Sequence, residues 1–105
     1  MDIDLNKMQQ MLSEARDMQS QLDDRLAATT VEADSGGGAV TVHMSGKKEL
    51  LKLTIAPAAA AAASSDLTML EDLIVAAINA ASRKADAAQQ SATSSMLGSL
   101  NLPGM

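Results

Sequence analysis

The chain has 105 residues, a length suited to one compact domain, and it contains no Cys, Phe, Trp or Tyr. The missing cysteines exclude a disulfide framework and thiolate metal sites, and the missing aromatics exclude the stacking platforms on which single-stranded nucleic-acid binders rest bases. Eight basic residues against thirteen acidic ones leave a net charge of −5, which on charge alone argues against a nucleic-acid partner.

Residues 4–27 read as one amphipathic helix. Leu5, Met8, Met11, Leu12, Ala15, Met18, Leu22 and Leu26 recur at steps of three and four, with Gln10, Glu14, Asp17 and Asp24 opposite. The near-heptad spacing makes this face a candidate for packing on a partner helix, and methionine is adaptable in that role.

The period then changes. TTVEAD (Thr29 to Asp34) and AVTVHMS (Ala39 to Ser45) alternate and flank SGGG, a hairpin turn signal. SGKK (Ser45 to Lys48) is a second turn, and LLKLTI (Leu50 to Ile55) places Leu51, Leu53 and Ile55 on one face with Lys52 and Thr54 on the other. Three short strands joined by two tight turns form, most simply, an antiparallel meander with one buried face. Pro57 ends the third strand, and Ala58 to Ala63 can make a helical turn.

A long helix follows, running to about Ser94. Ser65, Asp66 and Thr68 compete as its N-cap, and Thr68 with Glu71 has the capping-box spacing. On a helical wheel Leu67, Leu70, Leu73, Ile74, Ala77, Ala81, Ala85 and Ala88 share one face, Ile78 flanks it and Val75 lies past its edge. The arc is broader than one sheet contact requires, and its alanine half permits close approach by a second element. The expected domain is 1–97, with a flexible tail at 98–105 that holds Gly98, Pro103 and Gly104.

The order helix, three strands, helix is an α+β pattern. Its two amphipathic helices are too long for one small sheet to cover, and the unaromatic core is poor in burial, so a homodimer is expected. Candidate dimer-interface residues are Met8, Met11, Met18, Leu22, Val75, Ile78 and Ala81. The opening MDIDLNKMQQ is not patterned as a secretory leader, and no apolar run is long enough for a membrane span, so neither is expected.

Motifs for chemistry are missing. His43 is a lone histidine that reads as a partly exposed strand residue, and SGGGAV lacks the Lys-Ser/Thr of a phosphate loop. No catalytic residues, metal, cofactor or small-molecule substrate are expected. The basic residues are Lys7, Arg16, Arg25, Lys47, Lys48, Lys52, Arg83 and Lys84. Lys47, Lys48 and Lys52 make a local patch at the second hairpin. Asn79 and Arg83 sit one turn apart, and Arg83 with Lys84 is either a solvated pair or part of a binding surface.

The helix MLEDLIVAAINAASRKA (Met69 to Ala85), the hairpins GGGAVTVHMSGKKELLKLTIAP (Gly36 to Pro57) and the Met/Gln-rich NKMQQMLSEARDMQSQL together resemble the YbaB/EbfC family of small nucleoid-associated proteins. The resemblance covers nearly the whole chain, and the alanine tract after Pro57 departs from the charged linker common in the family. It implies a three-stranded sheet flanked by helices, a tweezer-like homodimer, and binding to double-stranded DNA in the bacterial cytoplasm, at the nucleoid. Candidate DNA contacts are then Lys7, Arg16, Arg25, Lys47, Lys48, Lys52, Asn79, Arg83 and Lys84. The alternative from another class is a dimeric protein-interaction module that does not touch DNA.

Overall fold

The structure, a computed structural model, describes residues 4–99, with side chains through Met96. The elements are α1 (Leu5–Ala28), β1 (Thr30–Ser35), β2 (Val40–Ser45), β3 (Leu50–Ile55), α2 (Pro57–Ala62) and α3 (Leu67–Ser99). The sheet is antiparallel in the order β1-β2-β3, as the alternating pattern predicts.

Local chemistry starts and stops each helix. The Asp4 carboxylate accepts from the backbone N–H of Asn6 (3.0 Å) and Lys7 (3.3 Å), satisfying two donors left over at the start of α1. Thr29 closes that helix, donating its N–H (3.0 Å) and hydroxyl (2.8 Å) to the Arg25 carbonyl. Pro57 sits in the first turn of α2, where its missing N–H costs nothing. Of the three N-cap candidates for α3, Asp66 is the one used: its carboxylate accepts from Met69 N at 3.0 Å. Asp66→Ala should therefore lower stability by about 1 kcal/mol, and Thr68→Ala far less, as urea denaturation would register. The helix also runs past Ser94 and through Gly98 to Ser99. The rest of the expected tail, 100–105, lies outside the described residues.

Two hairpins make the sheet. Gly36, Gly37 and Gly38 hold φ of 61°, 68° and 96°, the left-handed region that side chains resist. At Gly36 a Cβ would also stand 3.0 Å from Leu73 Cδ2, so this turn presses on α3. In the second turn the buried Ser45 hydroxyl accepts from the N–H of Lys47 and of Glu49, both at 3.2 Å. The residue in αL there is Lys48, with φ 68°.

The core lies between the sheet and α3. Val40 and Val42 have no exposed surface, and Met44 and Ala33 have almost none. Burial of side chains this size stabilises by about 1.5–3 kcal/mol each for Val and Met. From α3 the deepest residues are alanines: Ala77, Ala81 and Ala85, four apart, are fully covered, with Leu70 beside them and Leu73, Ile74 and Ile78 at the margin. The second element that this small-residue stripe admits is the chain's own sheet. Ala81 thus has no surface left for a partner subunit.

α3 crosses β1 and β2 and barely reaches β3, which leaves the inner face of β3 half open. A bulge adds to this. Lys52 pairs with His43 but Leu50 pairs with Met44, so Leu51 is the extra residue and leaves the alternation expected for it. Leu51 is 55% exposed, whereas Leu53 and Ile55 pack against the core. Leu67, expected on the core face, is the first residue of α3 and is 60% exposed; burial on that face begins one turn later, at Leu70.

Candidate nucleic-acid interface

At 1.5 Å per residue the 33 residues of α3 span about 50 Å; the helix rests on the sheet and its second hairpin from Leu70 to Gln89, and its last ten residues, about 15 Å, run past them. α1 packs along that overhang. Ala15, Met18, Gln19 and Leu22 face Thr93 and Met96, while Arg25 and Thr29 face Ala88, Ser91, Ala92 and Ser95. Rising numbers on α3 meet falling numbers on α1, so the two helices run antiparallel as an arm. The radius of gyration is 20.6 Å, where a compact chain of this length would have about 13 Å.

The root of the arm is fastened at Gly46. Its N–H donates to the carbonyls of Leu26 (3.0 Å) and Thr29 (2.9 Å), and its own carbonyl accepts from Gln89 Nε2 at 2.7 Å. One glycine therefore ties the end of α1, the second hairpin and α3 together. A Cβ at this position would meet the Leu26 carbonyl oxygen at 2.8 Å, which is why the position is bare.

The predicted basic residues fall into three groups. Arg25, Lys47 and Lys48 gather at the root, since the Gly46 bonds bring the hairpin against the last turn of α1. Arg83 and Lys84 lie on α3 just before the root, with Asn79 one turn earlier, all exposed. Lys7 and Arg16 are out along α1, about 27 and 13 Å from Arg25 by helical rise. Lys52 stands apart, on the outer face of the sheet opposite His43.

Two of these cations are engaged within the chain. Lys48 Nζ lies 3.1 Å from Asp86 Oδ1 in a partly exposed pair, and Lys84 Nζ donates to the Glu32 carbonyl at 2.6 Å. The exposed pair contributes little to stability in water, but it offsets the charge of one of the two lysines in that hairpin. Lys7, Arg16, Arg25, Lys47, Lys52 and Arg83 make no ion pair among the described residues. Asp86 and Gln89 were not singled out by residue type, because their partners, Lys48 and Gly46, lie about 40 residues away in the sequence.

Apolar surface is the other feature of the arm. Leu5, Met8, Met11 and Leu12 are 48–70% exposed on the outer half of α1, and Val75 is 58% exposed on α3. Met18 and Leu22 are half-buried against α3, and Ile78 packs at the edge of the core. No group of His, Cys, Asp and Glu suited to a metal ion occurs among the described residues.

Residues 5–100 match the model of the YbaB/EbfC DNA-binding family. The chain belongs to that family. Its YbaB/EbfC match takes in all six elements, the arm as well as the sheet. A nucleoid-associated protein of Acidobacterium capsulatum is 61% identical over 100 residues, covering 92% of this chain and 93% of that one. Another, from Koribacter versatilis, is 42% identical over 97 residues, covering 92% and 94%. In fold the chain is similar to an uncharacterized protein from Helicobacter pylori solved by crystallography, with a TM-score of 0.75, 23% identity and coverage of 91% and 99%. The helix, three-stranded sheet and helix architecture of the YbaB/EbfC domain is thus what the sequence pattern predicts. No helix among the described residues is long and apolar enough to cross a membrane.

Proposed function

We propose that this protein is a nucleoid-associated homodimer that holds double-stranded DNA between two α1/α3 arms, in the bacterial cytoplasm, with a role in nucleoid organisation or gene regulation. Membership of a DNA-binding family carries the reading. The unsupported arm fits it, since a long helical pair projecting from a small sheet has little structural purpose within one chain. The exposed Leu5, Met8, Met11 and Val75 support a second copy as partner, because single soluble chains seldom leave such stripes in water. Among the expected interface residues Met8, Met11, Val75 and Ile78 retain surface for it, and Met18 and Leu22 serve the helix pairing of the arm.

The contacts would go mainly to phosphates. Free cations at Arg25, Lys47, Arg83, Arg16 and Lys7 are point donors on a smooth helical surface, which fix position rather than read bases. A dimer carries twice the charge of −5, so affinity should fall steeply with salt. No chemical step, cofactor, small molecule or membrane enters this reading.

Gel-shift titration of two unrelated duplexes tests it. Equal binding of both at low salt, weakened by Lys47→Gln with Arg83→Gln at unchanged melting temperature, is the expected result. The salt slope should drop by about 1 for each phosphate that these variants leave without its cation. The Met-rich outer half of α1 favours a second reading, a protein-interaction module. Failure of the wild-type protein to shift either duplex at low salt would favour it over DNA.

A further inference from the structure

The root of the arm contains a cleft with a cation, Arg25, in its wall. About 280 Å³ in volume, it lies between the last turn of α1 and residues 88–95 of α3, and its walls are Arg25, Thr29, Ala88, Ser91, Ala92 and Ser95. In a chain with thirteen acidic side chains, no carboxylate lines it. Arg25 makes no ion pair among the described residues, and the Ser91 and Ser95 hydroxyls, one turn apart on α3, make no hydrogen bond there either. The cleft therefore holds one uncommitted guanidinium and two uncommitted hydroxyl donors. Ala88 and Ala92 keep its floor low, and it is several times larger than the roughly 30 Å³ share of one water.

One feature of the site opposes an anion. The C-terminal end of a helix exposes carbonyls and the negative end of its dipole. Here two of the last four carbonyls, those of Arg25 and Leu26, are already engaged. Arg25 O accepts from both the N–H and the hydroxyl of Thr29, and Leu26 O accepts from Gly46 N at 3.0 Å. Thr29 thereby spends its hydroxyl proton on the backbone and lines the cleft without donating into it.

The geometry points to this cleft as the seat of one backbone phosphate of the bound duplex, with the Arg25 guanidinium and the Ser91 and Ser95 hydroxyls as its donors. A guanidinium fork with two hydroxyls suits the several acceptor oxygens of a phosphodiester, and charge-assisted bonds of this kind are the strong ones. The seat would fix where along the arm the duplex lies, at the junction with the sheet rather than at the tip. This inference rests on the duplex-binding reading above.

Fluorescence anisotropy with a labelled duplex over a range of salt tests the seat, using the full chain. Arg25→Gln should weaken binding about tenfold at 0.1 M salt and lower the salt slope by about 0.9 for each phosphate no longer neutralised. Arg25→Lys should restore the slope. Ser91→Ala with Ser95→Ala should weaken binding about three- to tenfold at unchanged slope, since it removes neutral donors. Wild-type binding with the affinity and slope of Arg25→Gln unchanged would overturn the seat and leave the duplex reading standing. If Arg25→Gln does not fold, full affinity in the double serine variant overturns the seat instead. No binding by the wild-type chain at low salt would overturn the reading, and the seat with it.

Discussion

Gly46→Ala should cost about 2–3 kcal/mol of stability, by the usual scale of overpacking at a site that cannot yield. The added methyl would lie 2.8 Å from the Leu26 carbonyl oxygen and 3.1 Å from Leu26 Cδ2. The first obstacle is backbone, so only a shift of the hairpin away from α1 can relieve it. That shift strains the Gly46 N–H bonds to Leu26 and Thr29 and the Gln89 bond to the Gly46 carbonyl. Gly46 is not among the residues of positive φ, so the cost is steric rather than conformational. Gly37→Ala gives the contrast. Nothing lies within 4 Å of its added methyl, but its φ is +68°, and about 1 kcal/mol of left-handed strain is expected. Urea denaturation of both variants should place Gly46→Ala below Gly37→Ala, and the reverse order would mean that the root of the arm is loose.

Ala81→Leu should be at least as damaging, about 3 kcal/mol. Ala81 is fully buried midway along the stripe of Ala77, Ala81 and Ala85 that sits on Val42 and its neighbours. Three added carbons cannot be accommodated where the helix touches the sheet without lifting α3 off it. Ala87→Leu, on the exposed side of the same helix, should change stability by less than about 0.5 kcal/mol. Thermal melts of the two variants separate the alternatives. Equal melting temperatures would mean that the alanine stripe is open surface and available to another subunit after all.

The strands were the most legible part of this chain. Val40, Val42 and Met44 alternate with polar residues, and they are the inward residues of β2. Leu51 shows the limit of that logic. Alternation places it with Leu53 and Ile55, but a bulge depends on how Ser45 and Glu49 close the turn, through the 2.8 Å bond from Ser45 N to Glu49 O. No period in the sequence reports that bond. On α3 the face was legible and its assignment was not. A wheel shows that Ala77, Ala81 and Ala85 line up, but cannot tell whether the surface that approaches them is the chain's own sheet or a second subunit. The arm was hidden for a similar reason. Lys48 with Asp86, Lys84 with the Glu32 carbonyl and Gln89 with Gly46 join residues 38 or more apart, and side-chain type alone does not pair them. The basic residues could be named from the sequence, while their division into engaged and uncommitted cations could not.

The central claim is that two arms of a homodimer close on one duplex. Because the chain has no cysteine, a single Gln10→Cys on the exposed face of α1 gives one labelling site per subunit. Pulsed electron–electron spin resonance between the two labels measures the gap between arms directly. The expected result is an inter-subunit distance that is broad in the free protein and sharpens, on adding duplex DNA, to a single value wide enough to hold a duplex between the arms. Absence of any inter-subunit distance, or a distribution that duplex DNA leaves unchanged, would contradict the account.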